Sequence, residues 1–244
     1  TTSRRTERGH ACGPRRSLAC PVTKDGKTDA PVRRRLAPAE RERQILEGAI
    51  AYFSEAGFSG QTRELSRRLG ITQPLLYRYF PSKQALVEKV YQTVFQGRWN
   101  PAWIPLLQDR AVPLRERLVE FYRQYAQATY RPEWIRIYMH AGLSDPTLNQ
   151  RYIRLVRREL LPVMCAEVRH HCGLPVATGG PDEQEIEFVW HLHGGIFYQA
   201  VRRHVYRTRV CVDFDRHVGL VVDNFLAGAQ SVYPRLLVNS AADP

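Results

Sequence analysis

Between Gln61 and Lys83 the chain reads QTRELSRRLGITQPLLYRYFPSK, and the order of residues leaves little choice of local structure. Leu65 and Leu69 stand one helical turn apart and share a face, with Ser66 beside them small enough to let a neighbouring helix come close. Gly70 ends this helix, because glycine takes the left-handed conformation at a helix C-terminus without steric cost, and Ile71 folds back as an apolar anchor. Thr72 is a natural N-cap for a second helix. Pro74 then falls in the first turn, where its missing N–H has no intrahelical partner to lose. Leu76 and Phe80 share the inner face, while Gln73, Pro74, Tyr77 and Arg78 lie to its sides or outward. Two short helices across a glycine turn, the second presenting an amide, a phenol and a guanidinium, have the form of a helix-turn-helix reader of DNA.

Four segments carry a family resemblance: Thr62 to Ser66, Leu69 to Pro74, Leu76-Tyr77, and Phe80 to Lys83. In residue type and spacing this set resembles the DNA-binding domain of the TetR family of transcriptional regulators over residues 39 to 97. Two positions depart, Tyr79 where the family usually has histidine and Ser66 where it usually has alanine. The resemblance implies that Arg63 pairs with guanine and Gln73 with adenine, matching guanidinium and amide geometry to the major groove. It further implies apolar contacts from Pro74 and Tyr77 to thymine methyls, and phosphate contacts from Thr62, Tyr77, Tyr79 and Lys83. It also implies a homodimer on double-stranded operator DNA, joined through its last two long helices, with a pocket for a small effector between the DNA reader and that interface.

At 244 residues the chain is long enough for a small domain and a larger one. Its formal net charge of +12 favours a polyanionic partner, nucleic acid or a membrane surface, without choosing between them. Five cysteines without a C-x-x-C pair, and no apolar run long enough to cross a bilayer, point to a reduced cytoplasmic protein that does not enter a membrane. The basic N-terminus lacks the apolar stretch of a secretory signal.

Three regions follow. Residues 1–37 carry ten arginines and lysines against Glu7, Asp25 and Asp29, without apolar periodicity, and read as a disordered tail. Such a tail either follows phosphates or a minor groove, or is a solvated extension. Residues 38–97 hold a first helix with Ile45, Ala49, Tyr52 and Phe53 on one stripe and Gly57 at its end, then the helix-turn-helix, then a helix bearing Leu86, Val90 and Val94. Residues 98–244 are helical by period: Leu118, Phe121, Tyr122, Tyr125 and Thr129 form one stripe, Trp134, Ile135, Tyr138 and Met139 a second, and Tyr152, Leu155, Val156, Leu160 and Val163 a third on one segment after Pro146. Two long helices are expected over about 182–206 and 213–237. Gly194-Gly195 inside the first costs about 1 kcal/mol per residue against alanine, which calls for close helix packing, with the dimer interface as the candidate. The expected fold class is therefore all-α, an N-terminal helix-turn-helix domain followed by a helical domain for effector binding and dimerisation.

Residues 98–244 carry more aromatic surface than the short DNA-binding domain requires; these rings either fill a core or, with Tyr125, Trp134, Tyr138, His193 and Phe197 as the expected walls and polar anchor, line a pocket for a small apolar or aromatic effector. Cys165, His170, His171 and Cys172 fit no finger or ribbon spacing, so neither metal nor cofactor is expected. Two other classes remain as alternatives. A helical enzyme would draw on His140, His191 and His193 with Asp145, Asp182 and Glu185, but no motif orients them. A non-specific architectural DNA binder would explain the basic tail and leave the aromatic domain without a purpose. The preferred reading is a non-enzymatic, ligand-responsive regulator, a repressor released from a palindromic operator.

Overall fold

A computed structural model of the chain describes residues 36–210 and 212–240, with the backbone alone for 237–240. Most of the basic tail, together with Cys12, Cys20 and Cys211, lies outside the described residues. From Ala37 onward the chain forms one compact unit, helical throughout, with no strand among the described residues. The helices are α1 (Pro38–Ala56), α2 (Thr62–Arg68), α3 (Gln73–Tyr79), α4 (Lys83–Val94), α5 (Trp103–Gln108), α6 (Leu114–Thr129), α7 (Pro132–Ser144), α8 (Thr147–Glu159), α9 (Leu161–His171), α10 (Glu183–His204) and α11 (Phe214–Ser240), with a 3-10 turn at Gln96–Arg98.

In the first four helices the expected stripes are buried. Ile45, Ala49, Tyr52 and Phe53 on α1, Leu65 on α2, Leu76 on α3 and Leu86 and Val90 on α4 bury a shared core, each large side chain contributing about 1.5–3 kcal/mol by leaving water. Helix α1 packs on α2, on α4 and along α7, so it joins the helix-turn-helix to the larger helical body. The boundary at Gly70 follows chemistry: it adopts φ 62°, its N–H donates to the Arg67 carbonyl at 3.1 Å, and the Ile71 N–H donates to Ser66 at 3.0 Å. This is a Schellman closure, which needs a residue free to take positive φ.

One expected helix is divided, and two positions on the last two helices are located. The stripe from Tyr152 to Val163 belongs to two helices, broken at Leu160, with Pro162 in the first turn of α9 where its ring is tolerated. Gly195 finds its close neighbour within the chain: a Cβ there would stand 3.3 Å from Cγ1 of Val221 on α11, while Gly194 faces open space. Phe225 of α11 is 7% exposed and packs its ring 5.0 Å from that of Phe188 on α10.

Polar groups pin the larger body. Buried Glu167 on α9 receives Arg117 of α6 at 2.7 Å and Arg110 at 3.0 Å, and Arg117 also donates to the carbonyls of Leu107 and Val112. Buried Glu185 pairs with Arg169 at 2.6 Å and completes a capping box with Asp182 at the start of α10.

Candidate nucleic-acid interface and effector cavity

The Thr72 hydroxyl accepts from the Leu75 N–H at 3.3 Å and the Ser82 hydroxyl from the Ala85 N–H at 3.0 Å, so α3 and α4 both begin at capped ends. On this frame Arg63, Pro74 and Tyr77 are exposed, and Gln73, Tyr79 and Lys83 are partly exposed. Thr62 is buried. Its hydroxyl lies 2.9 Å from the Tyr77 hydroxyl and accepts from the Gln73 amide at 3.2 Å, bringing three of the seven expected DNA-contacting residues into one hydrogen-bonded group. Thr62, expected as a phosphate contact, has its hydroxyl engaged by these two side chains.

Ion pairing separates the basic residues of this face into two sets. Glu64 binds Arg67 and Arg68, Glu55 also takes Arg68 at 2.7 Å, and these hydrogen bonds hold the Glu64 carboxyl down at about 2. Arg63, Arg78 and Lys83 have no acidic partner among the described residues. Arg78 instead lies over the Tyr79 ring at 5.6 Å, a position the sequence reading had only as outward-facing. Unpaired guanidinium and ammonium groups beside capped helix starts form a surface suited to phosphate oxygens.

The second site is a cavity of about 460 Å³ in the larger body, walled by Trp134 and Tyr138 of α7, Tyr152 of α8, and Trp190, His193 and Phe197 of α10. Trp134 and Tyr138 stack with centroids 5.0 Å apart and planes 12° from parallel. Four of the five expected effector residues line it. Tyr125 does not; it stands behind the wall, its hydroxyl 2.6 Å from that of Tyr152 and its ring edge-on to His193. Tyr152, read from the sequence as core, and Ile153, Val156, Arg157, Glu187 and Gly194 complete the lining. Burial pushes the His193 imidazole down to about 4, leaving it neutral at pH 7 as one donor and one acceptor.

The acid–base candidates are dispersed. Asp182 caps α10 and Glu185 pairs with Arg169, while Asp145 accepts from Thr147 at the start of α8. No group of three metal-ligating side chains gathers among the described residues. Burial raises the Cys165 thiol to about 12, which keeps it protonated and unreactive. No described helix is long and apolar enough to cross a membrane.

Residues 45–90 match the family model described as bacterial regulatory proteins, tetR family. Nucleoid occlusion factor SlmA of Haemophilus ducreyi is 43% identical over 61 residues, 22% of this chain and 30% of that protein, and SlmA of Actinobacillus pleuropneumoniae serotype 5b matches to the same extent. The chain thus spans less than a third of the length of these curated relatives. Among solved structures, a TetR-like regulator from Rhodococcus sp. RHA1 aligns with TM-score 0.57 at 21% identity, covering 80% of this chain and 98% of that one. A TetR-family regulator from Streptomyces coelicolor aligns with TM-score 0.53 at 18% identity, covering 81% and 85%. The match over residues 45–90 identifies a TetR-family DNA-binding domain, and the likeness along most of the chain is one of fold.

Proposed function

We propose that this TetR-family chain works in the cytoplasm as a homodimeric repressor, binding a palindromic operator through residues 38–97 and released from it by a small, largely apolar or aromatic effector held by residues 98–244. The observation that carries this reading is the course of α4. It begins at Lys83 on the DNA-reading face and ends against the cavity, where Phe95 packs its ring 5.0 Å from Trp134 and 5.7 Å from Tyr152. Twelve helical residues span about 18 Å, so a shift of either ring is carried to the reading face by one rigid element. Arg63 and Gln73 take the base contacts, Lys83, Arg78 and Tyr79 the phosphates, and Thr62 holds Gln73 and Tyr77 in place.

Two half-sites on one DNA face stand about one helical turn or a multiple apart, so a few ångströms of spreading between paired reading helices abolishes simultaneous docking. Release requires the effector to prefer the spread state. Reciprocity then makes operator DNA weaken effector binding by the same factor, typically 5- to 150-fold. Calorimetry of a compound bound in the cavity, with and without operator, tests this: affinity falls when operator is present, and equal affinities contradict induction.

A further inference from the structure

Gln73 and Tyr77 stand at the two ends of a short run of hydrogen bonds whose middle member is the Thr62 hydroxyl, and the direction of that run sets what each end offers to DNA. Resting on the reading of this face as the operator-binding surface, we infer that Thr62 is the positioning residue that makes Gln73 a reader of adenine rather than guanine, in concert with a phosphate contact from Tyr77.

Thr62 is buried, and its hydroxyl has two partners among the described residues. It accepts from Nε2 of Gln73 at 3.2 Å and lies 2.9 Å from the Tyr77 hydroxyl. A hydroxyl carries one proton and two lone pairs. With Gln73 donating to it, the Thr62 proton has one acceptor in reach, the Tyr77 oxygen. Were Tyr77 to donate as well, that proton would be buried without a partner, which is the costly arrangement. The hydrogen bonds therefore run one way, from Gln73 through Thr62 to Tyr77. Tyr77 is exposed, and its own O–H is left to donate outward. Phosphate oxygens only accept, so a phosphate beside Tyr77 favours this direction over the reverse.

At the other end the Gln73 amide is divided. An amide has two N–H bonds and one carbonyl oxygen, and Thr62 takes one N–H. The second N–H and Oε1 have no partner among the described residues. A donor beside an acceptor complements the adenine edge, where N7 accepts and N6 donates. In the reverse direction, Tyr77 donates to Thr62 and Thr62 to Oε1, so both amide N–H bonds face the groove. Two donors complement guanine, whose O6 and N7 both accept. One side chain can thus read either purine, and the Thr62 hydroxyl, tied to Tyr77, selects between them.

The test uses the full chain and its preferred duplex, with the base that Gln73 reads located as the one whose preference disappears in Gln73→Ala. Competition binding then compares adenine with guanine at that position. The wild type should favour adenine by about tenfold or more, the factor that one bidentate pair supplies. Thr62→Val keeps the shape of the side chain and removes its hydroxyl, so the ratio should fall towards one, while Thr62→Ser keeps the hydroxyl and the ratio. In Tyr77→Phe the Thr62 proton loses its acceptor and turns to Oε1, which should carry the preference towards guanine. A wild-type preference for any base but adenine overturns the inference. So does an unchanged ratio in Thr62→Val or Tyr77→Phe, even with weaker binding overall, which would make Thr62 a structural residue only, and so does a ratio lost in Thr62→Ser. If Gln73→Ala alters the preference at no base, the assignment of Gln73 to base readout fails, and the inference fails with it.

Discussion

The Arg151 guanidinium lies 4.2 Å from the centroid of the Tyr91 ring and, on the same helix turn of α4, pairs with Glu88 at 2.7 and 3.0 Å. The next residue after Arg151 is Tyr152, a wall of the cavity, so α8 grips the middle of α4 immediately beside that cavity. Together with Phe95 at the helix end, this gives α4 two points of contact with the cavity wall.

Removing that grip should separate coupling from stability. The ion pair is partly exposed and is worth at most about 1 kcal/mol, so Arg151→Ala should lower the melting temperature only slightly and leave operator affinity within a few-fold. The factor by which operator weakens effector binding should shrink towards one, measured by paired calorimetric titrations. A full coupling factor in this variant would assign transmission to Phe95 alone.

The DNA face makes a contrast between base and phosphate readers. Arg63→Ala or Gln73→Ala should cost about 1–3 kcal/mol on the preferred site and relax one base position. Lys83→Ala and Arg78→Ala should weaken all sequences alike and each lower the slope of log K against log salt by about 0.9. Equal losses on specific and random duplexes for all four variants would remove Arg63 and Gln73 from base readout.

Ser66 stands where the family usually has alanine, and its hydroxyl is buried with no partner. Deleting such a group relieves a desolvation cost. Ser66→Ala should therefore stabilise the chain by about 1 kcal/mol in urea unfolding, with unchanged DNA affinity; destabilisation would mean that the hydroxyl is satisfied in solution.

His193 gives a pH dependence of known sign. Its folded pKa, lowered to about 4 by burial, lies below the ordinary value of about 6.5, so between the two the unfolded chain binds more protons. The contribution is complete above about pH 6.5 and is lost as pH falls towards 4, at up to about 1.4 kcal/mol per pH unit. The difference in stability between wild type and His193→Gln should follow that window, and a difference independent of pH would place His193 in water.

Pairing of chains should run over the outward faces of α10 and α11. Tyr198 and Leu220 are 53% and 56% exposed, large apolar side chains that a partner would cover. Tyr198→Asp and Leu220→Asp should yield folded monomers by light scattering, with operator affinity lost. Phe225 is less suited to this test, because it already packs inside the chain.

The helix-turn-helix could be read from sequence because residue type fixes each of its boundaries: Gly70 must take positive φ, Thr72 must cap, and Pro74 can sit only in a first turn. The cavity was half readable. Helical period identifies Trp134, Tyr138, His193 and Phe197 as aromatic or polar groups on inner faces, but it does not say where packed helices leave space between them, so period alone puts Tyr125 in the wall and Tyr152 in the core. The pairing of Arg117 with Glu167 joins positions 50 apart, and no local pattern announces it. The bracing of Gln73 and Tyr77 by Thr62 was hidden for the same reason, since it depends on how α2 and α3 cross.

Sequence-specific reading of DNA comes before every other step, and selection of bound duplexes from a random pool by the full chain tests it most directly. The predicted result is a single enriched palindrome with half-sites about one helical turn or a multiple apart, its enrichment lost in Gln73→Ala. Binding that depends on salt but enriches no sequence would contradict it, and would make this chain a non-specific DNA binder instead.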